Sequence, residues 1–285
     1  LVIGGSGQLG HALLATSPAG TDVIAPARAD CDLTKDDQIE HWLNEVRPGV
    51  VLNAAAYTAV DAAEGDEVNA RLINAIGVGR LAEAVKRHGA RLVHVSTDFV
   101  FDGEMSRPYT PDDEPNPLNV YGRTKRDGEV AVLQSGADAL IVRTAWIYLE
   151  HGKNFVHTML RLMRERDEVR VVSDQIGTPT YARNLAQALW ALAQKPVSGL
   201  YHVTDSGVAS WYDFAVAIRE EAMASGLIGN AAPIIPISTA DYPTPARRPQ
   251  FSVLDNGKTW SVLGATGQHW REALREMLIR INPNG

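Results

Sequence analysis

The glycine-rich stretch that follows the first apolar run limits the fold more than any other feature of the chain. Leu1-Val2-Ile3 is strand-like, and Gly4-Gly5-Ser6-Gly7-Gln8-Leu9-Gly10 follows it directly. The spacing reads as GxxGxxG through Gly4, Gly7 and Gly10, or as GxGxxG through Gly5, Gly7 and Gly10. A helix expected near residues 9–15 then begins on backbone that carries no side chains. Unpaired N–H groups and the helix dipole at such an end favour a pyrophosphate. Glycine also suits a tight strand-to-helix turn on steric grounds alone, so the surrounding pattern decides.

That pattern alternates strand and helix. Apolar runs at 23–25, 50–54, 91–96 and 139–143 have strand length, and helical patterns at 36–46, 70–88 and 121–133 separate them. Thr34 stands where an N-cap of the 36–46 helix is expected. The rhythm predicts an α/β fold: a Rossmann-like doubly wound parallel sheet whose strand C-termini form a ligand rim. Further helices are expected at 155–166, 183–194, 211–224 and 270–281. Pro233, Pro236, Pro243, Pro245 and Pro249 break the stretch between the last two. The expected organisation is a dinucleotide-binding domain over 1–145, with returns near 177–203 and 250–256. A smaller interleaved substrate-binding domain takes most of 146–285.

Charge and composition exclude several partners. A net charge of −7 argues against nucleic acid. Cys31 is the single cysteine, which excludes an intrachain disulfide and a cysteine-based zinc cluster. No apolar run approaches the roughly 20 residues that span a bilayer, so no membrane partner is expected, and the plain reading is a cytoplasmic protein. The 8 histidines form no HxH or HxxxH pair, so His11, His41, His88 and His94 read as surface or packing residues. Asp112-Asp113-Glu114, just before Pro115, reads as a solvated loop.

Two segments carry chemistry. Tyr121-Gly122-Arg123-Thr124-Lys125 is a YxxxK motif, and on a helix its ends share one face. A neighbouring ammonium lowers a tyrosine from its usual pKa of about 10, and such a phenol donates a proton to a carbonyl oxygen as hydride arrives. Leu92-Val93-His94-Val95-Ser96-Thr97-Asp98 is an apolar strand ending in hydroxyls and a carboxylate. Ser96 or Thr97 is placed to hydrogen-bond the same carbonyl. An incidental pair at a helix start and a capped strand end are the bland alternatives. The glycine turn in the same chain favours the chemical reading. After the second run, Arg28 stands where a 2′-phosphate of NADPH would be received, while Asp30 and Asp32 come later. A solvated Arg28 and NADH as cofactor remain open. Arg247-Arg248 in the proline-rich stretch either clamps a diphosphate or lies in solvent.

These residues resemble the extended short-chain dehydrogenase/reductase family, along nearly the whole chain. Asn53–Asp61 is similar to the family's third-strand signature. Val95–Gly103 is similar to its strand-end segment, with Phe99 where tyrosine is usual. Arg143–Trp146, Asp174–Thr180 and Ala246–Pro249 follow in order. The resemblance implies reduction by NADPH or NADH of the C4 ketone of a nucleotide sugar. The substrate it implies is dTDP-6-deoxy-L-lyxo-4-hexulose, or another nucleotide-linked 4-keto-6-deoxysugar. It implies Thr97, Tyr121 and Lys125 as the catalytic trio, with Lys125 also on the nicotinamide ribose. Gly4, Gly7, Gln8, Leu9 and Gly10 would lie under the pyrophosphate. Asp32 and Leu33 would flank the adenine, Arg28 the 2′-phosphate, and Ala55, Ala56 and Tyr57 would line the cofactor's path. Asp98, Trp146 and Arg247, with Thr97 and Tyr121, would face the sugar nucleotide. Trp146 also reads as a core residue. Some relatives hold magnesium between subunits with acidic residues. Here Ala12 stands at one such position and Arg183 or Asn184 at the other, so no metal is implied, and the chain is a monomer or homodimer. A non-catalytic regulatory subunit, like that of methionine adenosyltransferase, is the rival expectation.

Overall fold

The computed structural model describes residues 1–282. The chain runs β1 (Val2–Ile3), α1 (Gln8–Ala15), α2 (Asp36–Val46), β2 (Val50–Asn53), α3 (Val60–Ala63), α4 (Glu67–Arg71), a π-helical turn (Leu72–Gly77), α5 (Val78–Arg87) and β3 (Arg91–Thr97). A short 3₁₀ turn (Asp98–Val100), α6 (Val120–Ser135), β4 (Ala139–Thr144), β5 (Ile147–Tyr148) and α7 (Phe155–Glu165) follow. Then come β6 (Val169–Val172), β7 (Ile176–Gly177), β8 (Thr180–Tyr181), α8 (Ala182–Ala193), β9 (Gly199–His202), β10 (Ala209–Ser210) and α9 (Trp211–Ala224). β11 (Ile234–Ile237), α10 (Gly257–Leu263) and α11 (Trp270–Ile281) complete the described chain.

The central sheet is parallel throughout, in the order β1-β2-β3-β4-β9. Its strands are apolar on both faces because helices cover both. Val93, Leu140 and Val142 join one core with α1 and α8, while Leu92 and Ile141 join another with α2 and α5. The first of these cores continues into the second half through Tyr148, Phe214 and Trp270. Three two-stranded pieces there, β5–β8, β6–β11 and β7–β10, replace a second large sheet.

Three local expectations need correction. Residues 23–25 form no strand; one bond, from Val2 N to Ile24 O at 2.8 Å, ties them to β1. β1 is two residues long and Pro26 has no N–H to donate, so a ladder cannot extend. Thr34 does not cap α2: its N–H donates to Asp32 Oδ1 at 2.8 Å, and Lys35 occupies the cap position without a side-chain bond. Asp36 and Asp37 instead place negative charge on the first turn. Asp113 is not a solvated loop residue. The Arg107 guanidinium forks onto it with two 2.7 Å bonds, and the Thr110 N–H and hydroxyl also donate to it. The Arg107 guanidinium, with Thr110, holds its carboxyl well below the usual range.

The long helix expected over 70–88 is interrupted by the π turn. Asn74 lies within that turn, fully buried. It accepts from Tyr57 N at 2.8 Å and donates to Tyr57 O and Thr124 Oγ1, both at 3.1 Å. The extra residue therefore pins the loop after β2 to α6. Gly128 permits the contact, since a Cβ there would sit 2.1 Å from Asn74 O.

Candidate active site

The glycine turn divides its duties by position. Gly4 has φ +86°, and a Cβ on it would meet Ala55 N at 2.6 Å. A Cβ on Gly10 would lie 2.2 Å from Gly4 O. These two glycines let α1 pack against the strand ends. Gly7 differs: it is the N-cap of α1, has no capping side chain, and a Cβ there would touch only Gly4 O, at 3.4 Å. Open space therefore lies before the first N–H groups of the helix, which have no helical acceptors. This shape and donor set fit a dinucleotide pyrophosphate.

The other expected cofactor residues flank this turn unequally. Leu9 and Leu33 turn their side chains into the two cores, so only their backbone faces outward. Gln8 bonds Lys153 O at 3.3 Å and Asn154 Nδ2 at 2.9 Å, joining the turn to the loop before α7. Asp32 carries the Thr34 N–H and lies 3.9 Å from Arg28. The Arg28 side chain is 75% exposed, which leaves it available for a phosphate. Ala55, Ala56 and Tyr57 are half-buried after β2. Ala55 N donates to Asn53 Oδ1, and the Tyr57 hydroxyl donates to Asp66 Oδ2 at 3.3 Å.

Thr97 ends β3, paired in register with Thr144. Its hydroxyl accepts from Phe99 N at 3.2 Å and donates to Asp98 Oδ1 at 3.1 Å. Tyr121 stands in the first turn of α6, which is fixed by Asn119 Oδ1 accepting from Gly122 N at 2.8 Å and by Val120 N donating to Glu64 Oε1 at 2.8 Å. The Phe99 ring meets the Tyr121 ring edge-on, centroids 5.7 Å apart. One turn further on, Lys125 is buried and its Nζ donates to Val95 O at 2.7 Å. Thr97, Tyr121 and Lys125 thus converge at the C-terminal end of β3.

The electrostatics correct one expectation. Burial pushes the Tyr121 phenol up to about 12, with the Thr97 hydroxyl opposing and the Asp98 carboxylate adding to the rise. The expected lowering by Lys125 is not seen: desolvation is the largest effect, and the amine is directed at the Val95 carbonyl. Burial also brings Lys125 down to about 8, against the nearby Glu129 carboxylate. Asp98 is pushed up to about 6 by burial, against the Ser252 and Thr97 hydroxyls, and its Oδ2 has no partner. The resting phenol is therefore a proton donor across the neutral range.

The expected sugar-facing residues separate. Trp146 has φ +46° and stacks on Trp211, with centroids 3.5 Å apart; a Cβ on Gly177 would meet its ring at 2.7 Å. One face of the indole is thus packing surface, and the residue remains half-buried. The Arg247–Arg248 pair divides. Arg248 is bound to Asp61 through Nη1 at 3.0 Å and Nη2 at 2.8 Å, while Arg247 is exposed. Arg247 lines a cavity of about 690 Å³ with Asp102, Gln175 and Tyr242. Sequence reasoning passed over Asn74, Glu129 and the pairing of Asp61 with Arg248. Of these, only Glu129, four residues beyond Lys125, had a visible spacing. Ala12 is packed in the core, Arg183 pairs with Glu150 at 2.5 Å, and Asn184 donates to Asp205. Among the described residues, no group of three or more His, Cys, Asp or Glu side chains is arranged to hold a metal.

Comparison with known proteins adds a second line. A family model described as RmlD substrate binding domain matches residues 1–282. A dTDP-4-dehydrorhamnose reductase of Aggregatibacter actinomycetemcomitans is 42% identical over 97% of each chain. A solved dTDP-4-dehydrorhamnose reductase of Clostridium acetobutylicum superposes with a TM-score of 0.92 at 39% identity, over 99% of this chain and 98% of that one. One from Bacillus anthracis, solved in complex with NADP, gives 0.92 at 36% identity over 98% of each.

Proposed function

Because the chain belongs to the RmlD substrate binding domain family, we propose that it is an NADPH- or NADH-dependent reductase of the C4 ketone of dTDP-4-dehydro-L-rhamnose, yielding dTDP-L-rhamnose. The single observation that carries the residue assignment is the hydrogen bond between the Thr97 hydroxyl at the end of β3 and the Tyr121 phenol, with Lys125 one helical turn behind. In this reading the backbone at Gly7, Gln8 and Leu9 receives the pyrophosphate and the Lys125 amine holds the nicotinamide ribose. Arg28 suits the extra phosphate of NADPH. When bound, the reduced nicotinamide supplies hydride.

The side chains then manage the oxygen. Thr97 Oγ1 orients the ketone by a hydrogen bond. The Tyr121 hydroxyl, protonated at neutral pH, gives its proton to the C4 oxygen as negative charge develops there. The Lys125 ammonium, one turn behind, offsets part of the desolvation cost of the phenolate that remains. Asp98 and Trp146 face the sugar, and Arg247 is the residue of its pair left free for the diphosphate. We place the sugar site mainly in residues 146–285. No described helix is long and apolar enough to cross a membrane.

Tyr121→Phe removes the proton while keeping the ring against Phe99. Oxidation of NADPH by the dTDP-linked ketosugar should slow by roughly 10² or more in kcat. Parent-like turnover in that variant would defeat the assignment. The same assay with other nucleotides and ketosugars reads the specificity.

A further inference from the structure

A buried ion pair lies directly behind the proposed catalytic lysine. Tyr121, Lys125 and Glu129 follow one another at intervals of four, so they share one face of α6. The Glu129 and Arg143 side chains are both fully buried. Arg143 Nε donates to Glu129 Oε1 and its Nη2 to Oε2, each at 2.7 Å. Arg126 adds a bond to Oε2 at 3.1 Å, and the Arg143 guanidinium rests 5.0 Å from the Phe101 ring centroid. A pair like this is poor evidence of stabilisation, because desolvating two charges offsets most of their attraction. Its place relative to Lys125 suggests another use.

Lys125 has a weak hold on its charge. Its one acceptor in the fold is the neutral Val95 carbonyl. From β3, His94 faces the same layer, buried and kept neutral by burial and by Lys125 itself. From β4 comes Arg143, whose charge is spent on Glu129. From the neighbouring π turn, Asn74 is uncharged. On α6 itself, Tyr121 is a neutral phenol and Arg126 points to Glu129. Glu129 is therefore the one anion among these groups, a single turn away, and it opposes the loss of the lysine's proton.

We propose that the Glu129–Arg143 pair is a positioning device: Arg143 locks the Glu129 carboxylate in its ionised form beneath α6, and that carboxylate keeps Lys125 protonated. Glu129 and Arg143 touch neither substrate nor cofactor in this account; they act through Lys125. The inference rests on the site role proposed above for that lysine.

The test follows the amine directly. Lys125 is titrated in the full-length, cofactor-free protein by NMR of ¹³Cε-labelled lysine, with its signal identified by Lys125→Arg. The parent midpoint should fall near 8. In Glu129→Gln it should drop by about one pH unit or more, the effect of removing an opposite charge one turn away. Since that variant strands the buried Arg143 charge and can fail to fold on that account, the double variant E129L/R143M, which replaces the pair by apolar groups, is measured beside it. A smaller drop in the same direction is expected there, since the opposing Arg143 charge is removed with the carboxylate. In each variant the alkaline limb of kcat/KM for the ketosugar should move to lower pH with its lysine midpoint. A folded double variant with an unmoved lysine midpoint and an unmoved limb would show the pair to be structural only. Lys125→Met separates the two ideas. Full turnover in that variant overturns the role of Lys125, whereas a lost turnover with an unmoved midpoint in the double variant overturns the role of the pair.

Discussion

At Asp98 a carboxylate is held away from solvent with one oxygen unpartnered. Burial raises it to about 6 in the folded chain, whereas in the unfolded chain it titrates near 3.9. The folded state therefore binds the proton more tightly. Its contribution favours folding below about pH 4 and fades as pH rises through 6. Asp98→Asn mimics the protonated form. It should be more stable than the parent by a few kcal/mol, of order ~3, at pH 7.5, and the gap should close near pH 4 in thermal melts. A gap that is the same at both pH values would contradict this. The glycines make a second residue-scale contrast. Gly7→Ala meets open space and should cost within about 1 kcal/mol of stability while weakening NADPH binding. Gly10→Ala collides with Gly4 O and should cost roughly 1–3 kcal/mol. Melting curves and fluorescence titration with NADPH separate the two. The sequence made the glycines, YxxxK and the strand-end hydroxyls visible because each is local. It hid the Tyr121 phenol's rise, since burial is a property of the assembled layers.

The elements were legible where burial imposes a pattern. β3 and β4 are apolar on both faces because helices cover them, and the runs at 91–96 and 139–143 showed it. Residues 23–25 looked the same but lack a partner strand long enough to ladder with, a fact of the sheet's edge. The π turn at 72–77 was hidden because one extra residue does not disturb a helical pattern over so short a span. That turn carries Asn74, and α6 approaches it only because residue 128 is glycine. Gly128→Ala places a carbon 2.1 Å from Asn74 O. It should destabilise the protein by about 1–3 kcal/mol and speed amide exchange at Tyr57. A parent-like melting temperature with unchanged exchange would mean that the helices separate without strain.

Across the whole molecule, the late proline-rich stretch is tied to the glycine-turn half by Asp61. Its carboxylate accepts from Arg248 and from Ala246 N, and Asn119 at the start of α6 donates to Arg247 O. The Asp61–Arg248 bond is half-exposed, so its net stabilisation is about 1 kcal/mol or less. Its use is to seat Arg247 beside the cavity. Arg248→Met should leave NADPH binding unchanged and raise the KM for the ketosugar several-fold, as read by steady-state kinetics; an unchanged KM would detach this stretch from the sugar site. Such long-range ties were illegible beforehand, since Asp61 and Arg248 lie far apart in the chain and neither belongs to a periodic pattern. In the proposed reaction hydride passes to the sugar's C4 at this site. The direct measurement is to incubate the protein with NADPH deuterated at the transferable C4 position of its nicotinamide and with dTDP-4-dehydro-L-rhamnose, then read the product by NMR and mass spectrometry. One deuterium at C4 of a rhamnose product is the predicted result. A product with no deuterium at that carbon, or a sugar recovered unreduced, would contradict it.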